Sequence, residues 1–435
     1  MIRLCLGCTI ILVYFEPTFT FMGFLYRYAD VRPPFAVEGR CIVAVTHLAI
    51  ARRQTMRCGI LGYTKDNMEE VMKHGFLFSL ILTKKRRIDM SVIKSLFGKT
   101  KDGKDVTKYV VTNKKGSSIE MIDFGAILVS VWMPDKDGNL MDVVLGYDNV
   151  PAYEDNPPYF GTTLGRTCNR TANASVPVGD VIYQMPVNEE PNNLHCGPDG
   201  FEKRMWSVSE AEDDHVTFSL VSPDGDHGFA GEFRISVTYT LTEDNEVKIH
   251  YVGSCDEDTI ANMTNHSYFN LNGHNSGTIQ DHSLILYADA FTPVGDGSIP
   301  TGEILPVKGT PMDFTSEKVI GEEIDADYEQ LIRTKGYDHN YVLNQQDGSV
   351  RLFAAAKSPK SGMVMEAYTD AVGVQFYAGN FISGPAGKGG VKYEERDGFA
   401  LETQFYPNAA NEPTWPSPIL KKGEIYDTTT IYRFI

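Results

Sequence analysis

The run Phe233 to Leu241 alternates apolar and polar side chains, and a second alternating run follows at Val247 to Val252, across Thr242 to Glu246. A period of two puts every apolar side chain on one face of an extended chain. This segment therefore buries its apolar set only as a β-hairpin with one face inward. Shorter versions of the same pattern recur. Tyr109 to Asn113 reads as a strand, Lys114-Lys115-Gly116-Ser117 as a turn, and Ser118 to Asp123 as the return strand. Met141 to Gly146, Ser283 to Ala288 and Gly362 to Thr369 are further strand candidates. Asp135-Lys136-Asp137-Gly138-Asn139 has the aspartate spacing of a calcium loop but no Glu at the twelfth position, so it reads as a hairpin turn. Helix-like stretches are few and short, for example Ser316 to Ile320. Many short strands joined by Gly, Pro and Asp turns predict a mainly β chain folded as a β-sandwich.

Charge and cysteine usage divide the chain at about Met90. Residues 1–89 carry 13 Lys+Arg against 7 Asp+Glu, while the remainder carries 27 against 50. Four of the seven cysteines, Cys5, Cys8, Cys41 and Cys58, lie in the first part. Residues 4–15 form an apolar run of signal-peptide proportions, too short to span a bilayer comfortably. Lys84-Lys85-Arg86-Arg87 reads as a solvated charge run. The expected organisation is a poorly ordered extension over 1–89, or translated upstream sequence absent from the working protein, followed by one domain over 90–435. The net charge of −17 argues against nucleic acid or an anionic membrane as partner. Cys168, Cys196 and Cys255 are too scattered for a disulfide framework.

The chemistry concentrates in a few segments. Asn265-His266-Ser267-Tyr268-Phe269-Asn270-Leu271 sets one imidazole among hydroxyl, amide and aromatic groups. These are the groups that hold a sugar and move a proton on it, and histidine gives and accepts protons near neutral pH. Elsewhere stand Gly165-Arg166 to Asn169-Arg170, Asn193-Leu194-His195, Tyr337-Asp338-His339-Asn340, Gly373-Val374-Gln375-Phe376 and Leu401-Glu402-Thr403-Gln404. Alternation places Glu402 and Gln404 on one face of a strand, opposite Leu401 and Thr403. Arg166 reads as a surface arginine paired with a carboxylate, and Trp206 as core. Tyr268, Phe376 and Tyr377 are more economically read as core than as sugar platforms. The other histidines show no metal-ligand spacing with a carboxylate, and no nucleotide-binding fingerprint is present, so neither metal nor cofactor is expected.

Taken in order, these motifs from Met90 to Ile435, with Tyr406-Pro407-Asn408-Ala409-Ala410-Asn411, resemble the aldose 1-epimerase (galactose mutarotase) family. The resemblance implies a large twisted antiparallel β-sandwich with the sugar cleft on one sheet. It implies Glu402 as general base and His266 as general acid. Asn169, Arg170, His195, Asp338 and Gln375 would bind substrate. Cys196 stands where the family commonly has glycine. The expected substrate is a free neutral hexose such as galactose or glucose, handled by a cytoplasmic monomer. Four glycosylation sequons, at Asn169, Asn173, Asn262 and Asn265, fit that compartment, since a glycan at Asn169 or Asn265 would block the pocket. A glycoside hydrolase-like enzyme and a non-catalytic sugar-binding module are the alternatives. The first normally needs two carboxylates flanking the bond, and the second needs no acid/base pair.

Overall fold

The computed structural model describes residues 90–435 throughout, together with the backbone of four strands nearer the N-terminus. It divides into two compact units, Met1–Arg87 and Ile88–Ile435. In the first unit Ile11–Glu16, Phe19–Leu25, Cys41–Leu48 and Arg57–Tyr63 pair in sequence order as an antiparallel sheet. The apolar run before Ile11, the basic tetrad and most of the expected poorly ordered extension lie outside the described residues. No helix among the described residues is long and apolar enough to cross a membrane.

The second unit is built on a nine-stranded antiparallel sheet with the hairpin Phe233–Leu241 and Glu246–Cys255 near one end. Burial alternates along both strands as the sequence period requires. Their inward side chains, including Val237, Tyr239, Ile249 and Tyr251, share one core with Tyr341, Val374, Phe376 and Leu401 of a five-stranded sheet. The two sheets are also tied by polar contacts. The Tyr432 hydroxyl donates to the Leu401 carbonyl at 2.7 Å, and the Thr403 and Thr430 hydroxyls meet at 2.6 Å. Each fully buried aliphatic or aromatic side chain in this layer contributes about 1.5–3 kcal/mol. A second five-stranded sheet, Ser91–Lys99 to Leu140–Asp142, adds Val111, Ile119, Met121 and Val131 to the same core.

The expected β-sandwich is therefore the architecture of residues 90–435. The helix-like stretch Ser316 to Ile320 is a correction. It contains the two-residue strand Lys318–Val319, paired with Ser283–Leu286 at the sheet edge. The α-helices present there are Val150–Asp155, capped by the Asn149 side chain, and Glu329–Thr334. Trp206 is core, as expected.

Candidate active site

Three strands of the smaller sheet, Asp338–Val342, Gly373–Tyr377 and Ala400–Gln404, lie side by side, and all but Val342 are fully buried. Register sets Gln375 opposite both Asn340 and Glu402, and Asp338 opposite Tyr377. Directly paired residues point to the same side. One face thus carries Asp338, Asn340, Gln375, Tyr377, Glu402 and Gln404, while Tyr341, Val374, Phe376 and Leu401 enter the core. Gly373 permits this close approach, because a Cβ there would stand 2.6 Å from Asn340 Oδ1 and 2.8 Å from a Tyr406 ring carbon.

The polar face is cross-linked by amides. Gln375 Nε2 donates to Asp338 Oδ1 at 2.7 Å, Gln404 Nε2 lies 3.5 Å from Gln375 Oε1, and Asn169 Nδ2 lies 3.4 Å from Gln404 Oε1. The chain of amides runs from Asn169 to Asp338 and fixes each group without adding charge.

The two histidines arrive from loops. The His266 amide donates to the Thr162 carbonyl at 2.9 Å, and its carbonyl accepts from the Gly161 amide at 3.0 Å. Asn265 Nδ2 donates to the Gly161 carbonyl, and Ser267 bonds back to Asn265. The amide and the hydroxyl therefore hold the imidazole's backbone, and His266 and Tyr268 of this heptapeptide line the cleft. His266 Nε2 stands 3.5 Å from Glu402 Oε1. Its ring stacks on Tyr268 at 4.9 Å and meets His195 edge-on at 5.3 Å. Burial pushes the His266 imidazole down to about 3. Burial, reinforced by the Asp338 charge, drives Glu402 well above the carboxylate range. Both shifts favour the neutral form of the group.

His195 follows the short strand Asn193–Leu194, which pairs with Arg170–Thr171. Its Nδ1 accepts from the Asn169 backbone amide at 3.0 Å. A neutral imidazole that accepts at Nδ1 carries its hydrogen on Nε2. Burial, His266 and Arg170 hold this ring neutral, well below the usual histidine range. His195 therefore offers an N–H donor from Nε2. His195, His266 and Glu402 bring ligand-type atoms within 4.8 Å of one another. A metal-bound histidine donates its other N–H to an acceptor, however, and His195 does the reverse.

Arg170 gives Nε and Nη2 to Glu189 at 2.9 and 3.2 Å, leaving Nη1 3.8 Å from Asp338 Oδ2. Burial raises the Asp338 pKa, against the opposing pull of Arg170 and Gln375. A cleft of about 450 Å³ is lined by Asn169, Arg170, His195, His266, Asp338 and Glu402. Gln375 lies just beneath it, reaching the cleft through Asp338. A separate cavity of about 310 Å³ touches this sheet at Thr403 and Gln404 but is lined by none of the histidines or by Glu402.

All seven expected site residues thus share one sheet face and its rim. Others went unrecognised in the sequence. Tyr159, Glu189 and Phe381 line the cleft, while Tyr268 and Tyr377 pack in a buried cluster, as read, and border the cleft as well. Tyr159 sits at φ +61°, 4.8 Å from the His195 ring. Its one sequence signal is an aromatic residue directly after Pro157-Pro158. Arg166 is a correction as well: it is 1% exposed and pairs with no carboxylate among the described residues. Its guanidinium donates to the Ser222 and Thr259 hydroxyls and to the carbonyls of Ser222, Pro223, Ala230 and Gly231. Cys196 adopts φ +59°, in the left-handed region that favours glycine.

The sequence matches the aldose 1-epimerase family over residues 107–433. It is 38% identical over 346 residues to the galactose mutarotase of Rattus norvegicus, covering 79% of this chain and 99% of that one. It is 37% identical over 336 residues to the aldose 1-epimerase of Escherichia coli K12, covering 77% and 96%. Among solved structures, an aldose epimerase homologue from C. elegans superposes with a TM-score of 0.69 at 33% identity, over 74% of this chain and 97% of that one. Galactose 1-epimerase from Lactobacillus acidophilus gives 0.70 at 25% identity, over 80% and 99%.

Proposed function

Because the chain belongs to the aldose 1-epimerase family, we propose that the cleft interconverts the α and β anomers of a free hexose such as galactose or glucose by opening and reclosing the ring. The observation that carries the assignment is the buried pair Glu402 and His266, 3.5 Å apart. The anomeric hydroxyl and the ring oxygen share one carbon, so two side chains this close can each address one of them.

The proton count closes on this pair. Glu402 as carboxylate takes the proton of the anomeric hydroxyl, protonated His266 gives its proton to the ring oxygen, and the C1–O5 bond breaks. The open-chain aldehyde then faces protonated Glu402 and neutral His266. After rotation about C1–C2, Glu402 returns a proton to the carbonyl oxygen and His266 takes one from the O5 hydroxyl, which restores the starting state. One proton shared by the pair serves both directions. The neutral state that burial favours is the one that accompanies the open aldehyde, so the apolar walls stabilise the pair at the midpoint of the reaction. Each positioned transfer contributes about 10²–10⁴-fold.

Around the pair, Asp338 accepts from adjacent hydroxyls, and Gln375 holds its carboxylate in place. Arg170 Nη1, Asn169 and the His195 Nε2–H supply donors, the last toward the ring oxygen. A glycosidase would need two carboxylates flanking the bond, and Asp338 is committed to Gln375 and Arg170. Every site group comes from residues 159–404, which supports an activity carried by the domain over 90–435. Burial of Asn169, Asn262 and Asn265 supports a cytoplasmic setting.

The test is anomer exchange. Purified protein should accelerate the equilibration of fresh α-D-galactose and α-D-glucose, followed by optical rotation. A folded protein that binds these sugars without accelerating equilibration would overturn the assignment.

A further inference from the structure

We propose that Glu189 is a positioning and specificity-determining residue, clamping Arg170 so that one guanidinium nitrogen faces the cleft and keeping the cleft mouth selective for uncharged over anionic sugars. The proposal rests on the epimerase reading and adds the residue that sets its substrate class.

Glu189 engages Arg170 through two parallel bonds, the fork-to-fork geometry that fixes orientation as well as charge. The clamp is preformed. Glu189 and Asn192 exchange backbone hydrogen bonds at 3.1 and 2.6 Å, closing a tight turn. Asn192 Oδ1 accepts from the Asn173 amide at 3.0 Å. The turn leads directly into Asn193–Leu194, which is paired to Arg170–Thr171. Both ends of the ion pair therefore ride on one small ladder, the same one that presents His195.

The charge balance points the same way. Arg170 is the one Lys or Arg among the cleft-lining residues described, against the carboxylates of Glu189, Glu190 and Asp338. The Glu189 side chain is 35% exposed, at the rim. A phosphate entering the cleft would meet a guanidinium already committed to one carboxylate and close to a second. A neutral sugar needs one donor from Arg170 and loses nothing to the surrounding negative field.

The experiment compares the full chain with Glu189→Gln and Glu189→Asp. Its substrates are galactose and glucose 6-phosphate, followed by exchange NMR of the anomers at low and high ionic strength. Glu189→Gln frees the fork, and should raise KM for galactose about tenfold with kcat within about threefold. It should also raise the kcat/KM ratio of glucose 6-phosphate to galactose about tenfold at low salt, an effect that shrinks as salt rises. Glu189→Asp keeps the charge but shortens the reach, so it should keep the discrimination while KM rises. An unchanged KM and ratio in Glu189→Gln would overturn the proposal, as would a fall in kcat with the ratio constant. If the wild type exchanges neither sugar, the epimerase reading fails. The thermal shift induced by each sugar then reads the clamp: unless Glu189→Gln strengthens the glucose 6-phosphate shift relative to galactose, the Glu189 proposal falls too.

Discussion

The hairpin Phe233–Leu241 and Glu246–Cys255 and the strand Ala400–Gln404 border the same core from opposite sheets, yet they spend their side chains differently. Along the hairpin, burial alternates residue by residue, and the outward positions are polar apart from Val252. Along Ala400–Gln404 every residue is buried, including Glu402, Thr403 and Gln404. The hairpin has one dry face. The site strand has two, and one of them is polar. A buried polar group costs stability unless it is paired; here the amides of Asn169, Gln375 and Gln404 are paired, while Glu402 Oε2, His266 Nδ1 and the Asn340 amide have no partner among the described residues. The difference separates side chains kept for folding from side chains kept for substrate.

The strongest way to break the comparison is Glu402→Gln. It should lower kcat/KM for galactose by about 10³-fold or more. Its thermal midpoint should be unchanged or higher, since a buried group that resists ionisation is replaced by an amide. A large loss of stability would put Glu402 among the folding residues.

The converse substitution is Ile249→Ala, on the inward face of the hairpin and 1% exposed. It should cost about 2–5 kcal/mol in denaturant unfolding and leave KM unchanged.

The pH dependence sharpens the same distinction. If the pair works with one shared proton, kcat/KM should be level above the His266 value of about 3 and should fall as pH rises through the raised Glu402 pKa. A base acting alone would give the opposite slope there. Stability follows separately. His266 titrates at about 3 folded against 6.5 ordinarily, so its contribution is complete above 6.5 and is lost as pH falls toward 3. Glu402 is raised, so its contribution is complete below 4.5 and is lost as pH rises through its folded value. Thermal melts of wild type, His266→Asn and Glu402→Gln across pH should show the acid-side loss flattened in the first variant and the alkaline loss in the second.

The smallest effect expected is at Lys248, on the outward face of the hairpin. Lys248→Ala should shift unfolding by no more than about 0.5 kcal/mol and leave catalysis untouched.

Legibility in the sequence followed burial. The hairpin was readable to within a few residues because one wet face enforces a period of two. The strands at Tyr109, Ser118 and Ser283 were placed for the same reason. Ser316 to Ile320 reads as helix-like because a two-residue edge strand leaves no periodic trace. Arg166 reads as a surface residue because arginine is seldom fully buried, and its solvation by carbonyls from 222–231 comes from residues distant in sequence. At the site, Glu402, His266, His195 and Asp338 were found through motif order. Glu189, Tyr159 and Phe381 were not, because their roles arise only when turns from separate parts of the chain close around the cleft. That Tyr377, on a doubly buried strand, and Tyr268, in the loop after Thr264–Asn265, pack in a buried cluster and also border the cleft is a choice composition does not encode.

The burial of Asn169, Asn262 and Asn265 has a consequence in time rather than in space. Oligosaccharides are attached to nascent chains, before such side chains are enclosed. In a compartment that glycosylates during synthesis, attachment and folding would compete for the same asparagines, and a chain modified first could not close its sheets around the bulky, hydrated adduct. The order of two events, rather than the stability of the product, would then set the yield of native molecules.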